Sequence, residues 1–360
     1  MTLDTTPRLR PLGLGELLDQ VMRLYRRNFL KFIGIVAVVL IPLTLLQIGY
    51  SLIFINTAEL QTETDILPSL LSLLSPAFYA SGNILLGIFG YVLIKSVSAA
   101  ALTYTIAASY LGQDTGILDA YSKIGRSWVS LIGVLLLAII FSVILTLFCW
   151  MLSCVVCFVG LIGLPVLAFV WMVMLPIIVP IIVLEKQSAK HAIGRAWNLV
   201  GRRFWWVIGF ALILAIFAQI IITGPIALLS WGFQLLVGNM SADLSTTQTV
   251  IQTVLQSLFQ LMSSLIYLPL QLTAMTLVYF DLRVRTEGFD LVLLAESMSD
   301  SQTDVTQLVA QAPQSNQGGS VTLAQIGFFS LGLVGTVMGI SFIFGALCFV
   351  TSLIIGLLSE

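Results

Sequence analysis

The sequence alternates long apolar runs with short basic islands, and this alternation restricts the chain to a membrane-spanning bundle. Of its 16 Lys and Arg residues, 15 lie in four islands, at 8–31, 123–126, 186–203 and 283–285. A helix needs about 20 mainly apolar residues to cross the hydrocarbon core, and the stretch between successive islands is long enough to cross it twice. Lys95 is the one basic residue outside the islands.

The composition leads to the same fold class. Hydrophobic residues make up 58% of the chain and charged residues 9%, whereas soluble domains carry about 25% charged residues. We therefore predict an all-α fold, a polytopic transmembrane helical bundle with six core spans in three hairpins plus a C-terminal apolar span. The core spans are predicted at 29–55, 83–111, 128–150, 161–184, 204–236 and 251–280, and the last apolar run covers 324–358.

The charge distribution predicts the orientation and the partners. Lys and Arg concentrate in cytoplasmic loops, so the islands and the N-terminus are expected to be cytoplasmic. The outer loops near 56–82 and 237–250 contain acidic residues but no Lys or Arg. The first apolar run is too long for the core of a cleavable signal peptide, so we expect it to act as its own insertion signal. A net charge of −1 does not indicate a nucleic-acid partner. The expected partners are membrane lipids, with a membrane-protein partner or a homo-oligomer as alternatives.

Basic and aromatic helices are predicted before the odd-numbered spans. Apolar residues recur at helical spacing from Leu14 to Tyr25, with charged residues on the other face. This pattern predicts an amphipathic helix on the inner membrane surface, or alternatively a helix packed beneath its own bundle. The pattern recurs before the third and fifth spans, which indicates parallel internal repeats unless it reflects only the anchors that every cytoplasmic loop needs. The residues expected at the lipid interface are Arg23, Arg26, Arg27, Arg195, Arg202 and Arg203.

These features divide the chain into four parts. We predict a cytoplasmic amphipathic helix within 1–28, a six-span membrane core at 29–285, a flexible polar linker at 286–323 and a C-terminal transmembrane segment at 324–360. The linker is predicted from its Ser, Gln, Asp, Gly and Asn content and from its lack of hydrophobic periodicity.

The residue inventory argues against catalysis and metal binding. The single histidine, His191, lies in a predicted cytoplasmic loop, and the six predicted core spans contain no Asp or Glu. The sequence has no P-loop, HExxH or GxSxG motif. We therefore predict no catalytic residues, no metal site and no cofactor, and we do not expect an enzyme. Cys154 and Cys157 have CxxC spacing, which fits either a disulfide in an oxidising compartment or small apolar residues in buried helices.

Lys95 is the strongest single-residue candidate for function. An ionisable residue inside a membrane span is costly and is a functional hypothesis by default. Because the spans carry no carboxylate, its expected partners are backbone carbonyls, an anionic ligand or the amides of Gln219, Gln260 and Gln271. Alternatively, Lys95 snorkels towards the interface, or the span ends just before it and residues 96–111 form an interfacial segment.

Several motifs also suggest a family. Residues 10–12 are RPL, 15–19 are GELLD, 24–29 are LYRRNF, 195–197 are RAW after Ala192, 204–205 are FW, and 279–290 are YFDLRVRTEGFD. Over roughly residues 8–296 these motifs resemble the bacterial glycerophosphoryl diester phosphodiesterase membrane domain family.

The resemblance implies a bacterial protein of the inner or plasma membrane. The family takes its name from proteins in which such a membrane region precedes a phosphodiesterase domain. Hydrolysis of that type needs paired histidines for acid and base work and a carboxylate-bound metal, which one histidine does not supply. We therefore expect a stand-alone member without the catalytic domain, and stand-alone members have no settled activity.

The closing motif also has a physical interpretation of its own. Asp281, Arg283, Arg285 and Glu287 alternate in sign at the inner end of the sixth span. They are predicted to form a structural clasp with the basic segment at 190–203. Exposed ion pairs of this kind contribute about 0–1 kcal/mol each.

Two functions are consistent with these features. The first is a non-enzymatic multi-pass membrane protein that organises membrane lipids or partner proteins through its basic, aromatic inner face. The alternative is a transporter or lipid-handling protein whose kinked helices surround a cavity near Lys95.

Overall fold

The all-α fold is confirmed. The computed structural model describes residues 12–60, 81–113, 115–153, 160–226, 228–229, 232, 245–297, 304–313, 321–322 and 324–332. Within these ranges every regular element is a helix, and six helices are long and apolar enough to cross a membrane. Cys154, Cys157 and most of the predicted C-terminal segment lie outside the described residues.

The helices are labelled here in chain order. They are α1 (Leu14–Arg27), α2 (Phe29–Leu60), α3 (Ser81–Tyr110), α4 (Ile117–Lys123), α5 (Ser127–Ser153), α6 (Gly160–Phe169, continued by Leu175–Glu185), α7 (Ala189–Arg202), α8 (Phe204–Ile226), α9 (Ser245–Glu287), α10 (Phe289–Ser297) and α11 (Val305–Gln311). The six candidate spans lie in α2, α3, α5, α6, α8 and α9, and each overlaps a predicted span.

The first amphipathic helix packs against the bundle. Leu17, Val21 and Tyr25 on one face of α1 are buried. The Tyr25 hydroxyl donates to the Ile266 carbonyl of α9 at 3.1 Å, and the Leu12 amide donates to Asp281 Oδ1 at 3.0 Å. Helix α1 therefore runs along α9, as in the packed alternative, rather than lying on the membrane surface by itself. The reason is that its apolar stripe is covered by the last span, which is far away in sequence.

The three hairpins pack in a cyclic order. Helices α1 and α2 pack on α9, α4 and α5 pack on α3, and α7 and α8 pack on α6. Each amphipathic helix and its following span thus contact the second span of another hairpin, and the third hairpin closes the ring onto the first. Three parallel repeats are expected to produce this arrangement.

The C-terminal parts of α3, α6 and α9 form the centre of the bundle and contact one another. Every residue is buried in the segments 99–108, 175–185 and 268–284. The segment of α3 is rich in alanine, and such small side chains let helix backbones approach closely in membrane proteins. The centre of the ring is therefore filled with protein at this end.

Three of the spanning helices contain a π-helical turn, at Ile94–Ser98 in α3, Val170–Met174 in α6 and Gln219–Thr223 in α8. A π turn is an irregularity inside an α-helix that is frequent at functional sites. The first turn carries Lys95 and the second carries Trp171. Lys95 and Trp171 therefore lie where the helical geometry of α3 and α6 is irregular.

The predicted polar linker at 286–323 is wrong for its described part, which contains helices α10 and α11. In α11, Val305, Leu308 and Val309 recur at helical spacing and are buried, and the helix packs on α6. The Arg283 guanidinium donates to the Val309 carbonyl at 3.1 Å. Three apolar residues at the right spacing are enough to dock one helical turn, although the surrounding composition is polar.

Acid is expected to loosen α11. Asp304 accepts from the Tyr104 hydroxyl at 2.9 Å and pairs with Lys123 at 3.4 Å. Burial raises the pKa of Asp304, but hydrogen bonds from Thr306 and Tyr104 and the charge of Lys123 outweigh it and lower the pKa below its ordinary 3.8. With a lowered folded-state pKa, the stabilisation is present above the unfolded pKa and is lost as the pH falls through the folded value. The protection of the Val305–Gln311 amides against hydrogen exchange, relative to their intrinsic exchange rate at each pH, should therefore decrease once the pH falls below 3.8.

The Asp304→Asn variant should already show the faster exchange at neutral pH. The matched control is Asp119→Asn, since Asp119 is exposed on α4. Equal exchange of α11 in wild type and Asp304→Asn at neutral pH would contradict the assigned contact.

Candidate functional site

A cleft with polar walls opens between α2, α3 and α9. Its volume is about 720 Å³, within the range of about 300–1,000 Å³ that is usual for small-molecule sites. The residues that line it with polar side chains are Thr44, Gln47, Ser51, Tyr91, Lys95, Thr253, Gln256, Ser257, Gln260, Ser264, Tyr267 and Gln271. Leucines at 40, 43, 86, 261 and 268 line the remainder, together with Ile94, Trp171, Gly87 and Gly90.

Two polar stripes form the cleft walls. Residues three or four apart lie on one face of a helix, and on α2 this spacing places Thr44, Gln47 and Ser51 together. On α9 the same spacing runs from Thr253 to Gln271. The exposed apolar residues of α9 lie between the stripe positions, for example at Leu258 and Met262. The two spans therefore present polar faces to each other across the cleft.

Lys95 stands at the base of the cleft, partly buried, on the π turn of α3. Its ammonium lies 3.4 Å from Gln271 Oε1 and 5.9 Å from the centre of the Tyr91 ring. Ammonium groups have three donors, and 3.4 Å is longer than an ordinary hydrogen bond of 2.7–3.2 Å. No acidic residue is among the described residues that line the cleft. Lys95 is thus the sole formal charge of this lining.

An aromatic wall fixes the surroundings of Lys95. The Trp171 indole donates to Ser142 Oγ at 2.9 Å and meets the Tyr91 ring edge-on at 5.6 Å. Behind this wall lies a second chamber of about 30 Å³ among α3, α5, α6 and α9, comparable to the volume of one water molecule. Lys95 and Gln271 line both spaces, so they stand at the partition between them.

The structure brings together part of the predicted polar site. Lys95, Gln260 and Gln271 all line the cleft. Gln219 does not line it and is exposed on α8, because the described lining belongs to α2, α3, α9 and Trp171 of α6. Residues 96–110 continue α3, and the part from Ala99 to Ala108 is buried in the bundle, whereas the interfacial location of 96–111 stays a prediction.

The sequence also contained a signal for residues that were not predicted. Thr44, Gln47 and Ser51 and most of the α9 stripe were not among the candidates. Polar residues spaced three or four apart within an apolar span identify such a face. Trp171 had no comparable signal, because its place in the cleft depends on a π turn and on packing between hairpins.

The predicted clasp lies in a buried network of charges. Arg285 pairs with Asp281 at 2.7 Å, and Arg283 pairs with Glu287 at 2.9 Å. Arg283 and Glu287 are almost completely buried. The assumption that the pairs are exposed is therefore wrong, because residues of α6, α7 and α11 contact the end of α9.

Three further residues complete the network. Arg195 contacts Glu185 at 3.1 Å and Glu287 at 2.6 Å, and the Tyr279 hydroxyl donates to Glu185 at 2.8 Å. Burial lowers the pKa of the Arg195 guanidinium, but hydrogen bonding to Glu287 and the charge of Glu185 outweigh it and raise the pKa above its ordinary range. The network joins α6, α7 and α9.

The predicted interfacial arginines separate into two groups. Arg195 is wrong as a lipid-facing residue, because it is buried in the network. Arg202 is partly buried and donates to the Thr286 carbonyl at 3.3 Å. The exposed members are Arg23, Arg26, Arg27 and Arg203.

The fold and the cleft define an all-helical, multi-pass membrane protein with a polar cleft among its spans. Within the described residues no group of three or more His, Cys, Asp or Glu side chains is placed to hold a metal ion. Comparison with protein-family models, curated proteins and solved structures finds no match to this chain. The family resemblance therefore rests on the sequence motifs alone.

Proposed function

We propose that this membrane protein is a lipid-handling or transport protein that binds an anionic amphiphile in the cleft. The observation that carries the proposal is the position of Lys95, the one charge in the described lining of an open cleft of about 720 Å³. Charged groups within spans are expensive unless they are paired or face a polar cavity. An anion at Lys95 would compensate this charge, and the leucines of the cleft suit a hydrocarbon chain.

The polar walls support a ligand rather than a purely structural role. Gln47, Gln256 and Gln260 are exposed towards the cleft. A glutamine amide offers both donors and acceptors, and facing hydrocarbon without partners is costly. Water and the polar part of a ligand would satisfy these amides. We place the protein in the inner or plasma membrane of a bacterium with the N-terminus in the cytoplasm, on the strength of the basic islands and the motifs.

A ligand-binding test centres on Lys95. We expect Lys95→Gln to weaken retention of phosphatidylglycerol by about 10- to 100-fold, since a hydrogen bond to a charged group contributes about 1.5–3 kcal/mol. Native mass spectrometry of protein released from phosphatidylcholine nanodiscs doped with phosphatidylglycerol measures the retention. Lys95→Arg keeps the charge and should retain most of the binding.

The matched control is Lys190→Gln, since Lys190 is exposed on α7. It removes the same charge far from the cleft lining and should leave retention unchanged. Equal retention by wild type and Lys95→Gln would exclude the proposed role of Lys95.

A second candidate function is supported by α1. Arg23, Arg26 and Arg27 are exposed while the opposite face of the helix is packed on α9. Such a face suits anionic headgroups, each basic residue near the surface contributing about 1 kcal/mol. In this reading the protein organises lipids or partner proteins. Unchanged binding of phosphatidylglycerol vesicles after replacing the three arginines with Gln would exclude it.

A further inference from the structure

We propose that the cleft is a track along which the headgroup of a monoanionic phospholipid moves across the bilayer while its acyl chains stay in the surrounding lipid. This activity rests on the proposed function, because the track begins with a lipid that binds in the cleft. It goes further, since it requires movement between leaflets rather than binding alone.

The length of the polar stripe is the first argument. The stripe on α9 runs from Thr253 to Gln271. Gln271 is buried, so the part of the stripe that a headgroup can reach ends at Tyr267, and about 14 residues at about 1.5 Å each extend about 21 Å. The hydrocarbon core of a bilayer is about 30 Å thick. A site for one headgroup needs only part of this length, whereas the stripe provides polar partners through most of the depth that a headgroup must cross.

The exposure of the stripe and of its borders is the second argument. Gln256 and Gln260 of α9 are exposed within the cleft, so a headgroup can reach them. Leu258 and Met262 of the same helix are 44% and 56% exposed and lie outside the cleft lining. Polar and apolar surfaces therefore alternate around α9. This division matches a phospholipid, whose head enters the cleft while its chains remain against the apolar surface.

Open space beside Gly87 of α3 is the third observation. Gly87 lines the cleft and is exposed, and a Cβ atom added there meets no atom within 4 Å. Gly90, one turn further along, is buried, and a Cβ atom added there would lie 3.9 Å from Leu43. The wall opposite the stripe therefore leaves room for a headgroup at Gly87.

The charge of the lining selects the headgroup. With Lys95 as its sole formal charge, the described lining can neutralise one negative charge. A second negative charge would remain uncompensated, and a cationic group beside Lys95 would be repelled and would meet no carboxylate. The headgroup that fits is a monoanion whose other polar groups are neutral, such as the glycerol hydroxyls of phosphatidylglycerol.

The activity is measured with the full chain reconstituted in phosphatidylcholine vesicles. The vesicles contain a trace of fluorescently labelled phosphatidylglycerol. Dithionite added outside bleaches only the label in the outer leaflet, so the remaining fluorescence measures the labelled lipid in the inner leaflet. We expect protein-containing vesicles to lose the inner label faster than protein-free vesicles, and labelled phosphatidylglycerol to move faster than labelled phosphatidylcholine. Retention of an encapsulated dye, recorded on the same vesicles, identifies any leak.

Two variants test the track itself. Gln256→Leu combined with Gln260→Leu removes two polar side chains from the cleft wall. It should slow the movement of labelled phosphatidylglycerol by about tenfold. Gly87→Leu places a side chain in the passage without a clash at its Cβ and should slow the movement while the helix stays well formed. The matched control is Leu258→Ala combined with Met262→Ala on the outer face of α9, which should leave the rate unchanged.

The outcomes separate this proposal from the preceding one. Phosphatidylglycerol that binds through Lys95 but moves no faster than in protein-free vesicles would overturn the track and leave the binding function intact. Equal slowing by the stripe variant and the outer-face control would also overturn it, because the polar groups would then have no special part. The melting temperature of each variant shows that the compared proteins are folded.

Discussion

Replacing Arg283 with Met is expected to lower the free energy of unfolding by about 3–5 kcal/mol, because removing one partner of a buried ion pair leaves an uncompensated buried charge. Arg283 is fully buried and lies 2.9 Å from Glu287 and 3.7 Å from Glu185. Its loss would leave Arg195 as the only arginine of the network that contacts Glu185 and Glu287. Equilibrium unfolding in mixed micelles measures the change.

The control for this prediction is Arg203→Met, since Arg203 is exposed and belongs to a basic island. It should change stability by less than about 0.5 kcal/mol. The double variant Arg283→Met, Glu287→Met keeps one arginine with one carboxylate, Arg195 with Glu185. It should therefore be less destabilised than the sum of the two single variants. Strict additivity would show that the network is not a coupled unit.

Replacing Phe169 with Ala is expected to cost about 3–5 kcal/mol, the usual cost of truncating a buried aromatic residue. Phe169 is 2% exposed and is next to the π turn of α6. Its ring centre lies 6.1 Å from that of Trp197, 5.7 Å from that of Phe204 and 6.3 Å from that of Phe329. The truncation would thus loosen α7, α8 and the described helical segment 324–332 together.

The matched control is Phe141→Ala on α5. Phe141 is 43% exposed on a spanning helix, so its removal opens no enclosed cavity and should cost much less. The same unfolding titration compares the two variants, and hydrogen exchange at 324–332 provides a local readout. The packing assignment fails if the two truncations destabilise the protein equally.

The sequence predicted the spans well because the physical signal is local. An apolar run of the required length identifies each crossing by itself, and all six predicted spans were found close to their positions. Lys95 was found for the same reason, since one charge in an apolar run is conspicuous. The amphipathic pattern of α1 was also local, and the burial of Leu17, Val21 and Tyr25 follows it.

The remaining features depend on residues that are far apart in the chain. Glu185 and Glu287 share Arg195 although Glu287 lies 92 positions from it, and no pattern along the sequence announces this pairing. The cleft requires α2 and α9 to face each other, which follows only from the closure of the ring. Gln219 is outside the site because α8 contributes no residue to the described lining of the cleft, and its position along the sequence does not reveal this.

The cyclic packing has a consequence for how the chain is connected. Leu12 contacts both Asp281 and Arg285 through its backbone, so the two ends of the six-span core meet. Since each hairpin rests on a neighbour in the ring, no hairpin is structurally the first. The core is therefore suited to circular permutation: a chain opened in the turn between α3 and α4, with the end of α9 joined to the start of α1, would keep the contacts among helices α1 to α9.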